Sequence, residues 1–89
     1  RNILCNFFSM REKVTQTTQE NIIDALISER KRLGLSHEKL AELSGLHRTA
    51  ISHIENRKRN PTLISCLKIS YALGISLGDV IKEAELAKK

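Results

Sequence analysis

The chain has 89 residues, with fifteen Lys and Arg against ten Asp and Glu and a formal charge of +5. So short a chain buries one modest core and leaves little room for a catalytic cleft, while its basic balance favours an anionic partner such as nucleic acid or a membrane surface. Cys5 and Cys66 are the only cysteines, which excludes a disulfide framework or a zinc-ligand spacing and fits a reducing, cytoplasmic setting.

No run approaches the roughly 18 apolar residues of a membrane span, and Ile3 to Phe8 is too short for a signal-peptide core. Met10 is the only methionine, so residues 1–9 are read as appended sequence upstream of the natural start. The rival reading is a native apolar arm with Phe7 and Phe8 packing on a partner. Glu12 to Gln19 is polar, contains three threonines and has no apolar period. Residues 1–19 are therefore expected to be a flexible lead-in, 20–85 the folded domain and 86–89 a polar tail.

From Glu20 onward, Ile22, Ile23, Leu26, Ile27, Arg30 and Leu33 recur at three- and four-residue steps. That stripe predicts an amphipathic first helix, which Gly34 ends. Ser36 is a good N-cap for a second helix, with Glu38 in its first turn and Leu40, Ala41 and Leu43 on its buried side. Gly45 interrupts, and a third helix with Ala50, Ile51 and Ile54 on one face starts near His47. Asn60 and Pro61 break the chain again. Thr62 caps a fourth helix whose apolar positions are Leu63, Cys66, Leu67, Ser70, Tyr71 and Leu73, and Gly74 stops it. Ser76 opens the fifth, with Asp79 completing an approximate capping box and Leu77, Val80, Ile81 and Ala84 as its apolar side. No strand-like alternation or internal repeat occurs, so the fold class is all-α with five helices.

The stretch from Leu35 to Asn56 is physically a helix, a tight glycine turn and a second helix. Ala41 is small where the two should cross, Gly45 permits the turn, and Leu40, Leu46, Ile51 and Ile54 lock the pair onto the other helices. Arg48, Thr49, Ser52 and His53 remain outward on the third helix. That polar, donor-rich face suits the major groove, where base edges present donors and acceptors. Arg57, Lys58 and Arg59 follow it at once and are placed to grip phosphates.

Ser36 to Asn56, with Pro61 and the segment from Tyr71 to Leu77, resembles the phage-repressor and Cro-type (Xre-like) helix-turn-helix family. The likeness covers roughly Ile22 to Ile81. The segment from Leu46 to Glu55, followed by Arg59 and Asn60, also resembles the controller proteins of restriction-modification systems. The resemblance implies a compact, lambda-repressor-like DNA-binding domain whose third helix enters the major groove, usually in a dimer. Position by position it implies that Arg48, Thr49 and His53 reach base edges with Ser52 beside them, and that His37 and Asn56 meet phosphates. It also implies an ion pair between Glu55 and Arg30 that bridges helices three and one. Arg57 departs from the pattern, since many relatives carry glycine there.

His37, His47 and His53 share no ligand spacing, so no metal site is expected. Ser52 and His53 point about 100 degrees apart on a helix and are not a nucleophile and base. The expectation is a cytoplasmic, non-enzymatic regulator without a cofactor, which binds a pseudo-palindromic duplex operator as a homodimer. Tyr71 and the apolar positions of the fourth and fifth helices are most simply core, yet the homodimer is expected to be built mainly from these two helices, with Leu77, Val80, Ile81 and Ala84 as the candidate dimer patch. An antitoxin with the same fold and a protein-interaction adaptor are the rival functions. Toxin or RNA polymerase partners are left open.

Overall fold

The computed structural model describes the backbone of residues 2–87 and the side chains of residues 15–86. Five helices follow one another and no strand occurs among the described residues: α1 (Asn2–Arg32), α2 (His37–Ser44), α3 (Arg48–Glu55), α4 (Leu63–Leu73) and α5 (Leu77–Ala87). Phe7, Phe8, Lys88 and Lys89, to which the sequence assigned a partner-packing arm and a tail, have side chains outside the described set.

The helix boundaries are chemical. Ser36 accepts a hydrogen bond from the Lys39 amide at 3.0 Å, and Thr62 accepts one from the Ser65 amide at 3.1 Å. Each satisfies an amide that its helix leaves orphaned. The Ser76 hydroxyl accepts from the Asp79 amide at 3.4 Å at the start of α5. Gly45 takes φ 79°, a left-handed conformation that lets the chain leave α2 and enter α3 within three residues.

The main core draws one stripe from each of the first four helices: Ile23 and Leu26 of α1, Leu40 of α2, Ile51 and Ile54 of α3, and Ile69 and Leu73 of α4. Leu40 and Ile51 are the most completely enclosed side chains. A smaller cluster of Cys66, Leu77 and Val80, flanked by Ile22, Ala25, Ile75 and Ile81, seats α5 against α1 and α4. The Asn21 amide group adds a hydrogen bond to the Ala84 carbonyl at 3.3 Å. The helix-turn-helix thus stands on a three-helix support that positions it from behind.

The structure corrects the sequence reading at several points. Residues expected to form a flexible lead-in are helical, because α1 runs unbroken from Asn2 through the expected boundary at residue 20. Neither Gly nor Pro interrupts Glu12 to Glu20, and Glu, Lys and Gln in that run favour helix strongly enough to carry its threonines. Thr18 and Gln19 are also half-buried. Leu33 and Leu43, expected on buried faces, are exposed. Leu33 follows the last residue of α1, and α2 is too short to bury more than the side that carries Leu40.

The largest correction concerns α4 and α5. Leu77, Val80 and Ala84, read as a dimer patch, are 6%, 7% and 4% exposed, and Ile81 is half-buried. They are consumed in seating α5 on its own chain. Among the described residues, the exposed large apolar side chains gather on α4, where Leu63, Ile64, Leu67 and Tyr71 are 66%, 64%, 47% and 89% exposed, with Leu86 of α5 at 61%. The same helix buries Cys66, Ile69, Ser70 and Leu73. Of these, Ile69 was missing from the expected core, and Leu63, Leu67 and Tyr71 were wrongly included in it.

Candidate nucleic-acid interface

α3 is anchored by Ile51 and Ile54 on its inner side, three residues apart and both buried. One helix turn of register then decides what faces out. Arg48 and Thr49 lie in the first turn and are exposed, and Ser52 and His53 follow half-buried on the next turn. Arg48 is the first residue of the helix, so its long side chain leaves from the end rather than the middle of the rod. Its neighbour His47 is the N-cap, is exposed, and makes no capping bond with its side chain. The sequence reading assigned His47 no role, and no pattern in the sequence marks it.

Ser52 is not independent of its surroundings. Its hydroxyl accepts a hydrogen bond from the Asn56 side-chain amide at 3.3 Å, so the two polar groups are tied along one helix edge. Asn56 is exposed, as are Lys58 and Arg59 in the loop beyond it. Four donors on the helix are thus followed in the chain by exposed Asn56 and two exposed cations.

Behind this surface lies a charged junction. The Arg30 guanidinium of α1 donates to both Glu55 carboxylate oxygens, from Nε at 2.7 Å and from Nη2 at 3.0 Å, and its Nη1 donates to the Leu35 carbonyl at 2.6 Å. The two side chains are mostly buried. His37, the first residue of α2, brings its Nε2 to 2.9 Å from the same carboxylate. Because an ionised carboxylate only accepts, that contact fixes Nε2 as the protonated nitrogen. Burial raises the Glu55 pKa, but the hydrogen bonds from Arg30 and His37 and their charges outweigh it and leave the carboxyl below its ordinary value. One carboxylate thereby joins α1, α2 and α3, fixing the angle at which α3 is presented.

This junction narrows the expectation for His37. Its imidazole Nε2 is held by Glu55, where the first residue of α2 meets the last of α3, so the group it offers a phosphate is the backbone amide at the start of α2. Arg57 is held in a similar way. Its guanidinium pairs with Asp24 of α1 through Nη2, and the residue holds φ 62° where a glycine is the ordinary choice. Asp24 was missed because nothing in the periodicity of α1 marks an exposed acid as the partner of a loop 33 residues away.

Among the described residues, no group of three or more His, Cys, Asp or Glu side chains is placed to hold a metal ion. Burial pushes the Cys66 thiol up, away from the reactive thiolate form. No single described helix is long and apolar enough to cross a membrane.

Comparison with known proteins agrees with this geometry. A helix-turn-helix family model matches residues 26–80, which include α2 to α4 and the parts of α1 and α5 that support them. The control protein C.SmaI of Serratia marcescens is 41% identical over 59 residues, covering 66% of this chain and 70% of its own length. The control protein C.MunI of a Mycoplasma species is also 41% identical, over 56 residues, 63% of this chain and 76% of its own. Among solved structures, a single-residue variant of the restriction-modification controller protein C.Esp1396I superposes with a TM-score of 0.71 at 32% identity, covering 80% of this chain and 95% of its own.

Proposed function

The chain belongs to the helix-turn-helix family of DNA-binding transcription regulators, of the Xre and Cro type that includes restriction-modification control proteins, and from that premise we propose that it binds a pseudo-palindromic operator as a homodimer. The family acts by binding rather than catalysis. The single observation that carries the reading is the outer face of α3. Arg48, Thr49, Ser52 and His53 stand on a helix whose root is locked by Ile51, Ile54 and the Glu55 junction, so its donors are held ready for base edges. Asn56, Lys58 and Arg59 supply the phosphate contacts in this reading, with the His37 and Arg57 side chains withdrawn from that role.

The exposed α4 stripe supports the homodimer. Leu63, Ile64, Leu67 and Tyr71 form an apolar ridge, and three of them help to line two grooves, Leu63 the first and Leu67 and Tyr71 the second. The first groove holds about 410 Å³ between α1, α4 and α5, the second about 620 Å³ beside Tyr71 and Ile75, and Leu77 lies in both. A ridge next to a groove can be self-complementary under a two-fold axis, which is the form of contact a homodimer needs. Dimerisation through α4 places two α3 helices for successive major grooves, roughly 34–36 Å apart on a duplex.

Selection of bound duplexes from a random pool tests this. Recovery of a dyad-symmetric consensus with half-sites about one helical turn apart is the expected result. A pool with no enriched sequence overturns it. A second protein that copurifies on the α4 stripe and excludes self-association points to the antitoxin or adaptor function instead.

A further inference from the structure

Of the four junctions between helices, three turn on glycine and one on an arginine. Gly34, Gly45 and Gly74 take φ of 71°, 79° and 75°, and Arg57 takes 62° where α3 ends. The Arg57 amide donates to the Ile54 carbonyl at 3.2 Å and the Lys58 amide to the His53 carbonyl at 2.8 Å, the paired bonds of a left-handed helix terminus. Gly34 and Gly74 close α1 and α4 with the same two bonds. Glycine enters this backbone region freely, whereas an L side chain brings its Cβ against the next carbonyl. An arginine there needs a compensating hold.

The hold comes from α1. The Arg57 guanidinium donates from Nη2 to Oδ1 of Asp24, 33 residues earlier in the chain. Both side chains keep some solvent contact, at 38% and 62% exposure, so the pair lies on the surface beside the loop rather than within the core. The next two residues are Lys58 and Arg59, which pair with no carboxylate among the described residues. The chain thus engages one cation with its own carboxylate and leaves two outward.

We infer that Asp24 is a positioning residue for the DNA-gripping loop: by holding the Arg57 guanidinium it fixes the left-handed turn that carries Lys58 and Arg59 past the end of α3. This rests on the phosphate-gripping role proposed for that loop. Asp24 touches no DNA, and Arg57 contributes through the turn it makes. If Asp24 were only a mask for a phosphate-binding Arg57, its removal would have the opposite sign, freeing a cation and tightening binding.

The test uses the full chain and two duplexes of equal length, one recovered by selection and one unrelated, titrated over a range of salt concentrations. Asp24→Asn is expected to weaken binding to both by about fivefold, near the upper contribution of an exposed ion pair. The slope of affinity against salt should fall by roughly 1 as one phosphate goes unneutralised, and the thermal midpoint should drop by no more than about 4–8 °C, what roughly 1 kcal/mol costs a chain of this size. Arg57→Gly makes the turn without a carboxylate and should stay within about twofold of wild type. Adding Asp24→Asn to Arg57→Gly should then change nothing. Unchanged or tighter binding by Asp24→Asn overturns the inference alone, as does a weakening that persists in full beside Arg57→Gly. A wild-type chain whose salt slope is untouched by Lys58→Ala overturns the phosphate-gripping reading, and the inference with it.

Discussion

α3 and α4 are neighbours in the chain and both lean on the same core, yet they use their outer faces in opposite ways. α3 buries Ile51 and Ile54 and turns Arg48, Thr49, Ser52 and His53 outward. α4 buries Cys66, Ile69, Ser70 and Leu73 and turns Leu63, Ile64, Leu67 and Tyr71 outward. A face of hydrogen-bonding groups stays satisfied in water until a partner offers acceptors, whereas a face of leucine, isoleucine and tyrosine gains whenever it is covered. The first suits a selective, reversible contact with nucleic acid. The second suits a contact with another protein surface.

The comparison breaks most severely at the root of α3. Ile51→Ala leaves a cavity between α1, α2 and α3 and should cost about 2–5 kcal/mol, read as a lower urea midpoint. Tyr71→Ala, on a side chain 89% exposed, should barely move that midpoint for the monomer. Equal destabilisation at the two sites would mean that the outer face of α4 is already covered by structure within the chain.

The next effect lies at the junction behind α3. Glu55→Gln leaves the mostly buried Arg30 guanidinium without its charge partner and should cost about 1.5–3 kcal/mol near neutral pH. The carboxyl's pKa is lower in the folded chain than in the unfolded one. Its contribution is therefore fully present above the unfolded value of about 4.3 and is lost as pH falls through the lowered folded value. Urea midpoints of wild type and Glu55→Gln should stand apart at pH 7 and converge in acid. A gap that widens in acid would contradict the sign.

How far the sequence can be read differs between the two helices for a physical reason. α3 is polar on one side and apolar on the other, so its register and its outward residues follow from the pattern alone. The pairing of Arg30 with Glu55 followed from family resemblance. α4 is apolar nearly all round, and its two possible stripes, through Leu63, Leu67 and Tyr71 or through Cys66, Ile69 and Leu73, cannot be ranked by periodicity. What decides is whether α1 and α5 arrive on the second stripe, which is tertiary information. Leu77, Val80 and Ala84 stood between core and dimer patch for the same reason, since one amphipathic stripe serves equally for either. The helical course of Glu12 to Gln19 was hidden by threonines. The pairings of Asp24 with Arg57 and His37 with Glu55 join distant segments and left no trace in spacing.

On the α4 side, Leu67→Glu should weaken self-association by about 2 kcal/mol, roughly thirtyfold, because it places a charge in the middle of the exposed ridge. Sedimentation equilibrium reads this directly. The folded monomer should survive, since Leu67 is 47% exposed. Val80→Glu, by contrast, should unfold the α5 seat rather than merely separate two folded copies. A Leu67→Glu chain that associates like wild type would remove α4 from the interface.

The finest comparison lies within the DNA-facing surface, between reading and gripping. Arg48 leaves the first turn of α3, where its guanidinium has the geometry to donate two parallel bonds to guanine. Arg48→Ala should cost about 1–3 kcal/mol at one operator base pair and relax the preference there, with little change in salt dependence. Lys58 lies beyond the end of α3, in the turn that its own amide closes onto the His53 carbonyl at 2.8 Å. In the proposed reading it meets a phosphate from there rather than a base edge. Lys58→Ala should weaken every duplex alike and lower the salt slope by roughly 1 for the phosphate it no longer neutralises. Affinities for a set of single-base operator variants, each measured at several salt concentrations, separate the two. If Arg48→Ala lowered all affinities equally while Lys58→Ala changed base preference, the α3 terminus would be gripping the backbone and the loop would be reading the bases, and the assignment of roles along this surface would have to be reversed.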